Sequence, residues 1–180
     1  MIYESHYWKD DLLRSAKSLE SRVAQKRWHQ ATFASVERTV MIGFYSLRKL
    51  IESSKIDDKI SNFSVPLTGY PATSKLVTRK NWTNWWELYD LNQPRSCKLK
   101  LVLLCHQFIH SYVFSCDFLE NGQFAGVLVS SDRERNRVLY SISITEIVRI
   151  FEAAGQSYPN DMRMTFNPSK SDYDIISRAK

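Results

Sequence analysis

Two of the four histidines in this 180-residue chain, His106 and His110, stand one helical turn apart at the end of the apolar run LVLLCHQFIHSY. Side chains four apart share a helix face, so on a helix the two imidazoles are neighbours. An imidazole with a pKa of ~6.5 exchanges a proton near neutrality, and a buried one must find a polar partner. Three kinds of chemistry are open to such a pair. It could supply two ligands to a metal ion, but a third would have to come from elsewhere, and Gln107 stands where an HExxH motif has glutamate. One or both rings could bridge elements by hydrogen bonds alone. Or His110 acts as an acid–base residue with His106 as its polar helper. No metal and no cofactor is expected.

The cations that could join them fall in three places. Arg48 lies in YSLRKLIE with Glu52 one turn later, an arrangement that makes either a helix-surface ion pair or, if Arg48 faces His110, a phosphate site. Arg133, Arg135 and Arg137 alternate in DRERNR, and a strand or hairpin there would point all three to one side for phosphates or an acidic protein, unless Asp132 and Glu134 between them make it a solvated hairpin tip. Lys75, Arg79 and Lys80 precede Trp82, Trp85 and Trp86, a basic and aromatic combination suited to stacking on single-stranded bases, unless those rings are core. Cys97, Cys105 and Cys116 form no zinc pattern. Cys105 and His106 are adjacent, which is the wrong geometry for a thiolate–imidazole pair on a helix. Glycine-rich phosphate loops and GxSxG elbows are absent from the sequence.

The elements that must hold these residues follow from periodicity. Trp8, Leu12, Leu13, Ala16, Leu19 and Val23 recur at three- and four-residue steps and predict a helix over 5–27. Phe33, Val36, Val40, Phe44, Leu47, Leu50 and Ile51 predict a second over 32–53, paired with the first as an antiparallel hairpin. Residues 56–95, broken by Pro66, Gly69, Pro71 and Pro94, read as a Trp-rich connector that packs. The histidine helix is expected over 96–110. Three period-two runs after it, YVFSCDF, FAGVLVSS and VLYSISI, with Asn121–Gly122 as a turn, predict a small antiparallel meander. Thr145 is expected to cap a closing helix that ends at Gly155, and 156–180 to be loop and tail. The predicted architecture is α+β, mainly a helical bundle with a three-stranded antiparallel meander, in one domain spanning 1–180.

Composition bounds the class. At 43% apolar and 24% charged residues the chain reads as soluble and globular, and 13% aromatic residues predict a ring-rich core or interface. A net charge of +6 permits an acidic partner such as nucleic acid and equally fits a solvated surface. The acidic start MIYESHYWKDD, the odd cysteine count and the lack of a long apolar run predict a cytoplasmic protein without a membrane association.

The helical start followed by CHQFIH resembles the HEPN family of helical-bundle proteins, common in bacterial toxin, defence and RNA-processing systems. Members that cut RNA carry Arg, a polar residue, three more residues and then His. His106 matches the polar position and His110 the terminal histidine, while Cys105 stands where the family has Arg. SHYWKDDLL and YSLRKLIE are also similar to segments of a group of bacterial proteins without an assigned activity. The resemblance implies an RNA-binding protein or metal-independent ribonuclease, with His110 and His106 in its site and a homodimer as its form; Arg48 is this chain's candidate to replace the missing Arg as phosphate binder. The other expectation is a non-catalytic interaction protein of a bacterial defence or toxin–antitoxin system, with a protein as its partner.

Overall fold

The computed structural model describes residues 1–178. The chain runs α1 (Ser5–Glu20), α2 (Gln30–Glu52), α3 (Asp58–Ser61), β1 (Ser64–Pro71), a short 3-10 helix (Trp82–Glu87), β2 (Arg95–Lys100), α4 (Leu101–Ile109), β3 (Ser111–Phe118), β4 (Phe124–Ser131), β5 (Val138–Ser143), α5 (Ile144–Gly155), β6 (Asp161–Asn167) and β7 (Asp172–Arg178). Five of the strands form one antiparallel sheet in the order β2-β1-β5-β4-β3, and β6 and β7 form a separate two-stranded sheet. The expectation of a mainly helical bundle with a three-stranded meander is therefore corrected. The meander β3–β5 is present, but β1 and β2 extend it inside the segment read as a connector, and β6–β7 occupy the segment read as loop and tail.

The sheet is buried on both faces, and β4 shows it most clearly, because seven of its eight residues are buried. Val127 and Val129 face the helices, where they join Leu12, Val40, Phe44, Leu47, Leu104, Phe108, Ile147 and Phe151 in the main core. Leu128, one residue between them, points the other way into a second cluster with Val77, Leu88, Tyr89, Val113 and Leu139. The connector thus covers the far face of the sheet. At the centre of the helical side, Phe44 stacks on Phe108 at 4.1 Å between ring centroids and meets Phe151 edge-on at 5.1 Å. Gly43 makes that approach possible, since a Cβ there would lie 2.3 Å from the Phe151 ring.

Boundaries moved for local reasons. α1 stops at Glu20 rather than near residue 27 because Trp28 leaves the helix to pack on Phe33, Phe118 and Phe124. Residues 96–100 are strand rather than helix: Lys98 and Lys100 alternate with the half-buried Cys97 and Leu99. The cap of α5 is Ser143, whose hydroxyl accepts from the Glu146 N–H at 3.2 Å, and not Thr145. Trp82 and Trp86 are exposed, at 40% and 54%, whereas Trp85 is partly buried on the second cluster, so the connector packs through Val77, Leu88 and Tyr89 more than through its tryptophans.

Candidate functional site

The histidine helix owes its position to topology. β2 and β3 are the two opposite edges of the five-stranded sheet, and nine-residue α4 is the link between them, crossing on the helical side. Its first N–H, on Leu101, donates to the Phe63 carbonyl at 2.9 Å. Leu101, Leu104, Cys105 and Phe108 are buried, and the opposite stripe leaves Leu103, His106 and His110 exposed. His110 is the C-cap: its N–H donates to the His106 carbonyl at 3.1 Å, and the chain turns into β3 at the next residue.

Two bonds clip this helix end to the end of β4. Buried Gln107 accepts through Oε1 from the Ser131 N–H at 3.0 Å, and the His110 carbonyl accepts from the Asp132 N–H at 2.9 Å. Between the helix end and the 132–137 turn opens a cleft of about 380 Å³, lined by Leu99, Leu103, His106, Gln107, His110, Ser131, Asp132, Arg133, Glu134 and Tyr140. The two imidazoles are 5.9 Å apart, edge to face. Both predicted histidines therefore share one opening with one of the predicted arginines.

The 132–137 segment is the tip of the antiparallel β4–β5 hairpin and runs in tight turns, with Glu134 and Arg135 N–H donating to the Ser131 carbonyl and Arg137 and Val138 N–H to the Glu134 carbonyl. The expected row of three guanidiniums on one side does not form. Arg135 pairs with Asp132 and lies over the Tyr112 ring at 4.1 Å. Arg137 reaches Glu134 at 3.8 Å and is otherwise in solvent. Arg133 alone makes no ion pair or side-chain hydrogen bond among the described residues, and it is the one on the cleft wall. Three guanidiniums against two carboxylates leave the turn one positive charge, and the pairing leaves that charge on Arg133.

Arg48 does not line the cleft. Its guanidinium donates to Glu52 at 2.7 Å on the surface of α2, with Lys49 on the same carboxylate at 3.0 Å. It acts on the site from a distance: burial first, then the positive charge of Arg48, then His110 hold the His106 imidazole below its ordinary value, against the opposing pull of Glu52. The Cys105 thiol is pushed up to about 12 by burial and is no thiolate at neutral pH. Burial also raises the Tyr140 hydroxyl above its ordinary value, keeping it a neutral donor at the cleft wall.

The third cationic group sits elsewhere. Lys75 is tied to Glu87 at 3.2 Å, and Arg79 and Lys80 are exposed in the turn before Trp82. None of them lines the cleft. The connector nevertheless braces the 132–137 turn, because Tyr89 Oη donates to the Arg135 carbonyl at 2.6 Å and Asn136 Oδ1 accepts from the Val77 N–H at 2.8 Å. Gln107, Tyr140, Leu99 and Leu103 are the cleft residues that sequence reasoning did not single out. Gln107 carried a signal, a lone amide on an otherwise apolar helix face.

Among the described residues no group of three or more His, Cys, Asp or Glu side chains is placed to hold a metal ion. Among them too, no helix is long and apolar enough to cross a membrane. Compared with protein-family models, curated proteins and solved structures, the chain finds no significant match in any of the three.

Proposed function

We propose that the cleft binds a phosphodiester of single-stranded RNA and cleaves it without a metal ion. One observation carries the reading: two exposed imidazoles and the one arginine of the turn left without an acidic partner open onto the same cleft. Transesterification needs a base for the ribose 2′-OH, an acid for the leaving 5′-oxygen and a cation for the phosphate. His106, held below its ordinary value, favours the neutral form a base requires. It removes the 2′-OH proton as that oxygen attacks phosphorus. His110 gives a proton to the departing 5′-oxygen, and Arg133 bonds the non-bridging oxygens. A 2′,3′-cyclic phosphate and a 5′-OH end result. The acid–base role that the HEPN resemblance implies for His110 is kept, and the phosphate contact passes from Arg48 to Arg133.

The test is digestion of a short single-stranded RNA in excess EDTA, with 2′-O-methyl RNA of the same sequence as control. Cleavage of the first alone, with cyclic phosphate ends, is expected. His110→Gln should fold normally and lose turnover by roughly two to four orders of magnitude. A folded His110→Gln variant of full activity would refute the catalytic assignment.

A second reading, a protein-interaction module, draws on Leu103, 48% exposed, and Leu99 beside Asp132 and Glu134 on the same cleft. Those residues suit a basic, partly apolar peptide better than a phosphate. That reading expects no cleavage and no RNA binding, with loss of a protein partner in Leu103→Asp.

A further inference from the structure

Among the described residues β6 and β7 pair only with each other, so each has an outer edge to account for. The N–H of Ser177 donates to the Asp58 carboxylate at 3.0 Å and that of Tyr173 to the Asp172 carboxylate at 2.8 Å. Because N–H groups along a strand alternate sides, Tyr173, Ile175 and Ser177 present their backbone away from β6. The outer edge of β7 is thus engaged at both ends, and Ser177 is fully buried, its hydroxyl donating to the Ser54 carbonyl.

The same alternation fixes β6. Asp161, Arg163, Thr165 and Asn167 lie opposite Arg178, Ile176, Asp174 and Asp172 and turn their backbone towards β7. Met162, Met164 and Phe166 turn theirs outward, and none of these three has a hydrogen-bond partner for its outer backbone among the described residues. Their side chains share one face and are 49%, 58% and 54% exposed, with Tyr173 beside them at 53%. An open edge with an apolar face is a template for another strand. No lysine or proline lies within β6 to block it.

We propose that this edge pairs with the β6 edge of a second copy of the chain, antiparallel about a two-fold axis at Met164, giving a four-stranded sheet β7-β6-β6-β7 across the dimer. Register singles out this occupant. Pairing Met164 with its own copy sets every outward residue of DMRMTFN opposite another outward one. Met162 then faces Phe166 of the second copy, twice over, a sulfur–aromatic contact, and the polar pairs are Arg163 with Thr165 and Asp161 with Asn167. No like charges are opposed. A shift that makes Arg163 the centre would put two guanidiniums face to face, and one that makes Thr165 the centre would leave Met162 without a mate. In the one full-length antiparallel register the seven residues oppose no like charges and match outward residues with outward ones.

Sedimentation of the full chain and of two variants at position 164 tests this. Met164→Lys and Met164→Glu each set like charges opposite one another at the axis. The wild type is expected at twice the 21.1 kDa of one chain at micromolar concentration. Each variant alone should weaken association at least tenfold, and an equimolar mixture should recover it, since Lys then faces Glu. Protection of the Arg163 and Thr165 amides, which face β7, from exchange in both variants shows that the β6–β7 hairpin is intact. A monomeric wild type at all concentrations, a Met164→Lys dimer as tight as the wild type, or a mixture no tighter than its parts would each overturn the proposal.

Discussion

The 132–137 turn and the 75–86 stretch of the connector are built from the same materials, cations beside aromatic rings, and end in different chemistry. In the turn, Asp132 and Glu134 take Arg135 and Arg137 out of play and Tyr112 holds Arg135 flat, so a single guanidinium is left against two imidazoles. In the connector, Glu87 takes Lys75, and Arg79, Lys80, Trp82 and Trp86 stay in solvent with no wall opposite them. The +6 net charge says nothing of this difference. The proposed site lies where pairing leaves one charge over and a helix end supplies groups facing it. The two regions are also linked, since Tyr89 and Val77 of the connector hold the turn through Arg135 and Asn136.

The comparison can be broken by exchanging the effects of the two regions. Arg133→Gln keeps a donor but removes the uncommitted charge, and a charge-assisted hydrogen bond of about 1.5–3 kcal/mol converts to a roughly 10- to 100-fold loss of kcat/KM. If Arg133→Gln cleaves as well as the wild type, the leftover charge has no role. Changing Lys75, Arg79 and Lys80 together to Gln should alter RNA affinity by no more than about twofold and leave its salt dependence unchanged, because released counterions report only contacted phosphates. A shallower salt slope in that triple variant would make the connector part of the RNA path.

The smallest effect is on pH. Arg48 lowers His106, so the acidic limb of the kcat/KM profile should lie below the ~6.5 of an ordinary imidazole. Arg48→Gln removes that positive charge, while Glu52, still paired with Lys49, keeps its upward pull on His106; the base rises and the limb moves to higher pH. His110 also faces His106 and stays in place, leaving part of the depression intact. A limb that stays put or moves to lower pH would disconnect His106 from the profile.

The helices that were legible in the sequence are those where one face is buried and the other wet. α2 and α5 carry that contrast in their residue spacing; β3–β5, in a sheet covered on both faces, are legible instead as short apolar runs bounded by turn residues, among them Asn121–Gly122, whose glycine takes φ +79°. β1 was hidden by Pro66, Gly69 and Pro71. Its pairing with β5 covers only Thr68–Pro71, so Pro66 costs that ladder no bond. β6 and β7 were hidden for the opposite reason, since nearly all their residues are exposed and little burial marks either face. For the cleft, the spacing of His106 and His110 was readable, and Arg133 stood among the candidates. Its separation from Arg135 and Arg137 was not, because it depends on which carboxylate each arginine finds across a tight turn. Arg48 looked equally suited in sequence and lies on α2, outside the cleft wall.

In the proposed site His106, His110 and Arg133 meet one phosphate. Imidazole and guanidinium nitrogen resonances, followed while a 2′-O-methyl RNA dinucleotide is added, test it without any turnover. Signals of all three side chains should move along a single binding curve, and Arg133→Gln should weaken the curve for both histidines together. Binding that leaves either imidazole unmoved, or that moves the histidines and Arg133 with different affinities, would contradict it.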